Sequence, residues 1–261
     1  MLNNHTTEGL KKLHLSHMAR GLTEQLRNPE YEGIPFEERL GMLVDAELSE
    51  RENSRRERNL RAAKLKERAT VEGIDFGPRR GLDRAQVLQL AHCRWVEAAQ
   101  SVLVTGATGV GKTYVACALA TAAIRCGYSA MYVRAPRLFE TLELSRADGR
   151  YASVMGSLAR TGVLVIDDLA LRPLSTQQAA DLLEIMEDRH ATRAMIIASQ
   201  LPVASWHAAM GDEQTVADAI MDRVLSRAHR IEMGGESRRS REVGPADKEP
   251  SQSDPGRNGQ S

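Results

Sequence analysis

The chain has 261 residues, 42% hydrophobic and 27% charged, which is enough for one sizeable domain plus an accessory piece, or for two modest domains. Lys+Arg and Asp+Glu are both 35, so a globally basic coat is excluded and any nucleic-acid surface has to be a local patch. Three cysteines without CxxC spacing argue against a disulfide framework or a Cys-based zinc site; the N-terminus lacks the apolar region of a signal peptide and no apolar run approaches the ~20 residues of a membrane span, so a soluble cytoplasmic protein is expected.

Residues 1–70 read as a charge-rich helical domain. Thr6 or Thr7 can cap a first helix carrying Leu10, Leu13, His17 and Met18. Pro29 and Gly33-Ile34-Pro35 break the pattern, and a second helix starts near Pro35 with Phe36, Leu40, Leu43 and Leu48 on one stripe. From Arg51 to Arg68 lie eight basic and three acidic residues, a local net of +5. Two readings stay open: a solvated helix face laced with ion pairs, or a phosphate-contacting helix.

Turn residues Gly73, Gly77-Pro78 and Gly81 mark a domain boundary near residue 70. Residues 83–98 look helical, and Ser101 to Thr105 is a short β-branched run followed by glycines. Tyr114 to Ile124 is a helix of small residues; Ala130 to Val133, Val163 to Ile166 and Ala194 to Ala198 are further short apolar runs. Strands alternating with helices predict a mostly parallel sheet with helices on both faces, over 71–235. The remainder, 236–261, is polar and Pro/Gly/Ser-rich, and is expected to be a disordered tail.

Gly106-Ala107-Thr108-Gly109-Val110-Gly111-Lys112-Thr113 fits GxxxxGK[ST] between a strand-like and a helix-like run. Glycines let the loop wrap a phosphate with its N–H groups inward, and the next helix offers its positive end to the same anion. Lys112 would reach the β- and γ-phosphates and Thr113 would ligate Mg²⁺; with Tyr114 directly after it, the stretch is the expected ATP-contacting set. Val163-Leu164-Val165-Ile166-Asp167-Asp168 is the expected partner, a buried strand releasing two carboxylates beside the loop. Asp167 would hold Mg²⁺ through water, and Asp168 would act as general base. The strand over 194–198 ends in Ser199-Gln200, either of which could orient the attacking water.

The order of strand, GATGVGKT, helix, VLVIDDL, strand, polar residue and DR-containing helix resembles the AAA+ ATPases of the DnaA/DnaC branch. With LKKLHLSHMARGL, IPFEERLGMLVDAE, SQLPVASWH, DAIMDRVLSRAHRIEM and GGESRR, it resembles more narrowly the IstB-type transposition helper ATPases of bacterial insertion sequences. The resemblance implies a P-loop AAA+ core preceded by a small all-helical domain. It implies an ATP- and Mg²⁺-dependent homo-oligomer, a spiral or ring, that assembles on double-stranded DNA, bends it and delivers it to a partner transposase. By the same likeness Arg223 is the candidate arginine finger acting on a neighbour's γ-phosphate, and Arg239, or Arg238, is the candidate phosphate sensor. It also shifts weight toward DNA contact by Arg55, Arg56, Arg58, Arg61 and Lys64, and by Arg134 and Arg137 at the end of the second strand. These would be backbone contacts of low sequence specificity. Asp168 stands where AAA+ proteins often have Glu, which predicts slow turnover.

The competing expectation is a DnaC-type replicative helicase loader, which shares the core. A small-molecule P-loop kinase is a third, one that would need neither the DR helix nor the basic N-terminal helix.

Overall fold

The computed structural model describes residues 2–235. Arg238, Arg239 and the tail expected over 236–261 lie outside them.

Three helices come first: α1 (Leu2–Lys12), α2 (Ser16–Arg27) and α3 (Phe36–Ala63). Glu47 of α3 is buried because it serves α2: its carboxylate accepts the backbone N–H groups of His17 and Met18 at 2.9 and 3.1 Å, satisfying donors that the start of a helix leaves orphaned. Arg51, one turn on, neutralises it at 2.8 Å. Gly21 lets the two helices cross closely, since a Cβ there would lie 2.7 Å from the Leu43 side chain.

α3 runs unbroken through most of the basic stretch and bridges the N-terminal helices to the sheet. Arg55 donates to the Gly127 carbonyl (2.7 Å) and Asn59 to that of Tyr128 (3.2 Å). The helix stops at Lys64, which turns left-handed, and Ala63 and Ala69, on either side of the connecting segment, are buried in the core of the sheet.

The second region is an α/β layer structure. Its elements are α4 (Arg84–Ala91), α5 (Arg94–Glu97), β1 (Ser101–Gly106), α6 (Lys112–Arg125), β2 (Ala130–Arg134), α7 (Ala135–Ala147), α8 (Tyr151–Arg160), β3 (Val163–Leu169), α9 (Thr176–Arg189), β4 (Ala194–Ser199), α10 (Trp206–Ala209), α11 (Gln214–Leu225) and β5 (Ala228–Met233). The five strands are all parallel, in the order β2-β3-β4-β1-β5. Alternation splits the central strands between two cores. Val102, Val104, Val163, Val165 and Ile196 face α6, whose run of alanines lets the helix backbone approach the sheet. Leu103, Leu164, Ile166, Met195 and Ile197 face α7, α9 and α11. β5 is the strand that escapes the sequence pattern: it lies at the sheet edge, and only Ile231 and Met233 of it are buried.

Arg189, at the end of α9, is fully buried and pairs with no carboxylate among the described residues. Its guanidinium donates to the carbonyls of Leu158, Thr161 (2.9 Å), Gly162 (3.4 Å) and Ala194 (2.5 Å), tying the end of α8 to the start of β4. Burial pushes its pKa down to about 9. Arg189→Ala strips four buried acceptors of their donor and leaves a hole, so unfolding free energy should fall by about 3 kcal/mol or more, read from the denaturant midpoint. An unchanged midpoint would mean that water serves those carbonyls equally well.

Candidate nucleotide site

Parallel α/β sheets bind ligands at the carboxyl ends of their strands, and here the loop after β1 and the ends of β3 and β4 converge on one cleft of about 770 Å³. Thr108, Gly109, Gly111, Lys112, Thr113, Tyr114, Arg134, Asp168 and Gln200 line it.

The loop geometry explains its glycines. Gly106 has φ +147°, and a Cβ there would lie 2.3 Å from the Met233 carbonyl, so the end of β5 can pack against the loop only if that residue is glycine. Gly111, at φ +103°, turns the chain into α6, whose first residue is Lys112. Val110 is buried, and its carbonyl accepts from the buried Arg80 guanidinium at 3.0 Å; Arg80 is paired in turn with Asp75 (3.4 Å). Ile74, Leu82, Tyr114, Val115 and Met233 form an apolar wall on that flank of the loop. The Lys112 ammonium is folded back onto the carbonyls of Gly106 (2.7 Å) and Ala107 (2.8 Å), within the loop it would serve.

Successive residues of a regular strand point to opposite faces. Asp167 and Asp168 escape this because β3 bulges there: Ile166 pairs with Ile197 and Leu169 with Ser199, so two residues stand against Ala198 alone. Asp168 takes φ +59°, unusual for a residue with a side chain and worth about 1 kcal/mol or more of strain. Asp167 is almost fully buried and accepts on one oxygen from the Thr113 hydroxyl (2.8 Å) and the Tyr132 hydroxyl (2.6 Å). Its other oxygen accepts the Asp168 backbone N–H at 3.0 Å. Burial, followed by the hydrogen bond to Asp167, pushes the Tyr132 pKa far up, so Tyr132 stays a donor. Thr113 and Asp167 thus put hard oxygen donors together, a set suited to Mg²⁺.

Of the two polar residues after β4, Gln200 faces the cleft and accepts from the Thr108 hydroxyl at 2.6 Å. Ser199 is fully buried, donating to the Leu169 carbonyl at 2.7 Å, so it turns away from where a water would be oriented. Of the pair, the geometry therefore favours Gln200 as the residue beside the cleft. Arg134, expected on a DNA-facing surface, stands in this cleft instead: the β2–β3 register sets it opposite Asp167, and its Nε and Nη2 lie 2.9 and 2.8 Å from one Asp168 oxygen. The carboxylate hydrogen bond raises the Arg134 pKa.

The remaining expected residues lie elsewhere. Arg223, on α11, pairs with Asp222 (2.8 Å) and Glu187 (3.9 Å) and does not line its own chain's cleft. Arg137 pairs with Glu140, Arg56 with Glu52 and Arg61 with Glu57, all on exposed helix faces, while Arg58 and Lys64 are exposed and make no ion pair among the described residues. Both open readings of the basic run thus have physical content, because such exposed pairs are weak and easily exchanged for phosphate.

Tyr132, Arg80, Lys66 and Glu67 are site residues that motif reading does not single out. Tyr132 carries the only advance signal, a polar-tipped aromatic at the C-terminal end of an apolar strand.

Comparisons with known proteins agree with this architecture. Residues 8–246 match the family described as IstB-like ATP binding protein. The chain is 43% identical to the insertion sequence ATP-binding protein y4pL of Sinorhizobium fredii, over 92% of this chain and 97% of that one. It is 43% identical to the insertion sequence IS1162 ATP-binding protein of Pseudomonas fluorescens, over 77% and 88%, and 33% identical to an insertion-sequence ATP-binding protein of Mycobacterium tuberculosis, over 89% and 92%. Among solved structures, the DnaC helicase loader superposes with a TM-score of 0.57 at 20% identity, covering 66% of this chain and 99% of that one. The replication initiator DnaA bound to AMPPCP and single-stranded DNA superposes with 0.55 at 16% identity, covering 66% and 52%. The fold is therefore that of the DnaA/DnaC branch of AAA+ proteins, and the chain belongs to the IstB-like ATP-binding family.

Proposed function

We propose that the protein is a Mg²⁺-dependent ATPase that assembles as a homo-oligomer on double-stranded DNA, bends it and presents it to a partner transposase, with hydrolysis driving release. The observation that carries this reading is the bulge that turns both Asp167 and Asp168 toward a GxxxxGKT loop, in a chain similar almost end to end to insertion-sequence proteins. In this reading 1–70 is the DNA- and partner-binding region and 71–235 the ATPase. The DnaC-type loader remains the second reading, supported by the likeness of the core. That likeness spans 66% of the chain, whereas the insertion-sequence relative spans 92%, N-terminal helices included.

The chemistry follows from the side chains. Lys112 exchanges its two loop carbonyls for β- and γ-phosphate oxygens. Thr113 and Asp167 would hold Mg²⁺, which when bound would offset the charge of the phosphates. Asp168 takes the proton of the attacking water, which Gln200 orients. Arg134 holds one Asp168 oxygen, which leaves the other for the water, and the Arg134 guanidinium has the triphosphate as an alternative anion. Arg223 of a neighbouring subunit supplies positive charge to the transition state, a contribution worth about 10³–10⁵ in rate in other P-loop enzymes. Arg239 or Arg238 would sense the phosphate.

Arg55, Arg56, Arg58 and Arg61 on α3 and Lys64 at its end, with Arg137, contact DNA phosphates. Bending a duplex costs several kcal/mol, which contacts from many subunits offset. Replacing Arg55, Arg56 and Arg58 together with Ala should weaken binding to every duplex alike and flatten the salt dependence by up to about 3 in log–log slope. Fluorescence anisotropy across a salt series measures it; an unchanged slope would contradict the assignment.

A further inference from the structure

The cleft has two walls. One is the P-loop core already described; the other is the segment joining α3 to the core, where Lys66 and Glu67 line the same cleft as Lys112, Thr113 and Asp168. This segment is pinned. Ala63 and Ala69 are buried at its two ends, in the same core cluster as Cys117, one turn beyond Thr113 on α6. Upstream, Arg55 and Asn59 fasten α3 to the α6–β2 turn. Lys66 is exposed and makes no ion pair among the described residues, so its ammonium stands at the cleft without being held by the carboxylates of Glu67 and Asp168 that line it too.

We propose that Lys66 is a further nucleotide-binding residue, contacting the triphosphate from outside the P-loop and coupling nucleotide occupancy to the basic helix α3. The inference rests on the cleft being the nucleotide site. Its logic is geometric: α3 ends at Ala63, three residues before Lys66, so a phosphate that draws Lys66 inward pulls on the end of the helix that carries Arg55, Arg56, Arg58 and Arg61. Charge alone sets the opposite sign for its neighbour, because Glu67 on the same wall repels the same anion.

The test compares Lys66→Ala, Lys66→Arg, Glu67→Gln and Lys112→Ala, by titration with methylanthraniloyl-ATP and Mg²⁺ and by duplex binding with and without ATP. Lys66→Ala should weaken ATP about tenfold, Lys66→Arg should restore most of it, and Glu67→Gln should bind at least as tightly as the parent. Melting temperature without nucleotide should not move, since Lys66 holds nothing together. In Lys66→Ala, saturating ATP should no longer raise duplex affinity as it does in the parent. Unchanged ATP affinity in Lys66→Ala overturns the proposal, as does an equal loss in Lys66→Ala and Glu67→Gln, which would make the segment a matter of shape rather than charge. Undiminished ATP binding by Lys112→Ala would instead overturn the nucleotide-site reading itself.

Discussion

Asp168→Asn should bind ATP as tightly as the parent and hydrolyse it about 10²–10⁴-fold more slowly, the range a positioned general base contributes. The amide keeps the size of the side chain and its place on the bulge at φ +59°, a conformation that Asn tolerates well, so folding is not at stake. What is lost is the acceptor for the water's proton, and with it the ion pair to Arg134. Because ATP then stays intact between subunits, complexes on DNA should persist where those of the parent dissociate. Single-turnover hydrolysis and a dissociation time course read the two effects separately. Rapid release by a variant that does not hydrolyse would detach disassembly from hydrolysis.

Lys112→Ala should reduce ATP affinity by about 100-fold or more, since a charge-assisted contact to each of two phosphates disappears. The ammonium satisfies the Gly106 and Ala107 carbonyls, and water can replace it there, so the fold survives. Without bound triphosphate nothing draws a neighbour's Arg223 to the cleft, so ATP-dependent assembly should vanish with the affinity. Equilibrium titration and light scattering check both, and assembly that persists without nucleotide binding would contradict the link.

Much of this was legible in the sequence, for identifiable reasons. GATGVGKT and VLVIDD carry their chemistry at fixed spacing, and β1 to β4 are apolar runs because helices bury both faces of the sheet. β5 was hidden because an edge strand with one buried face needs only Ile231 and Met233, leaving His229, Arg230 and Glu232 to look like a polar end. The long α3 was visible at its start, but its union with the core depends on Asn59 and Arg55 reaching carbonyls 69 and 72 residues away, which no local pattern encodes.

The same limit applies inside the site. Ser199 and Gln200 are equally polar on paper, and strand alternation at the end of β4 separates them, sending Ser199 to the Leu169 carbonyl and Gln200 to Thr108. Arg134 read as a DNA contact because of the family resemblance; its position opposite Asp167 is a property of the β2–β3 register. Lys66 belongs by sequence to a basic run and by structure to the lining of the candidate cleft.

The central claim is that a bound triphosphate joins copies of this chain to one another on duplex DNA. Mass photometry of the purified protein with a DNA duplex, in a non-hydrolysable ATP analogue and in ADP, addresses it directly. The analogue should give assemblies of many subunits on each duplex, and ADP should give free protein and free DNA; subunits that remain single with analogue and duplex both present would contradict the account.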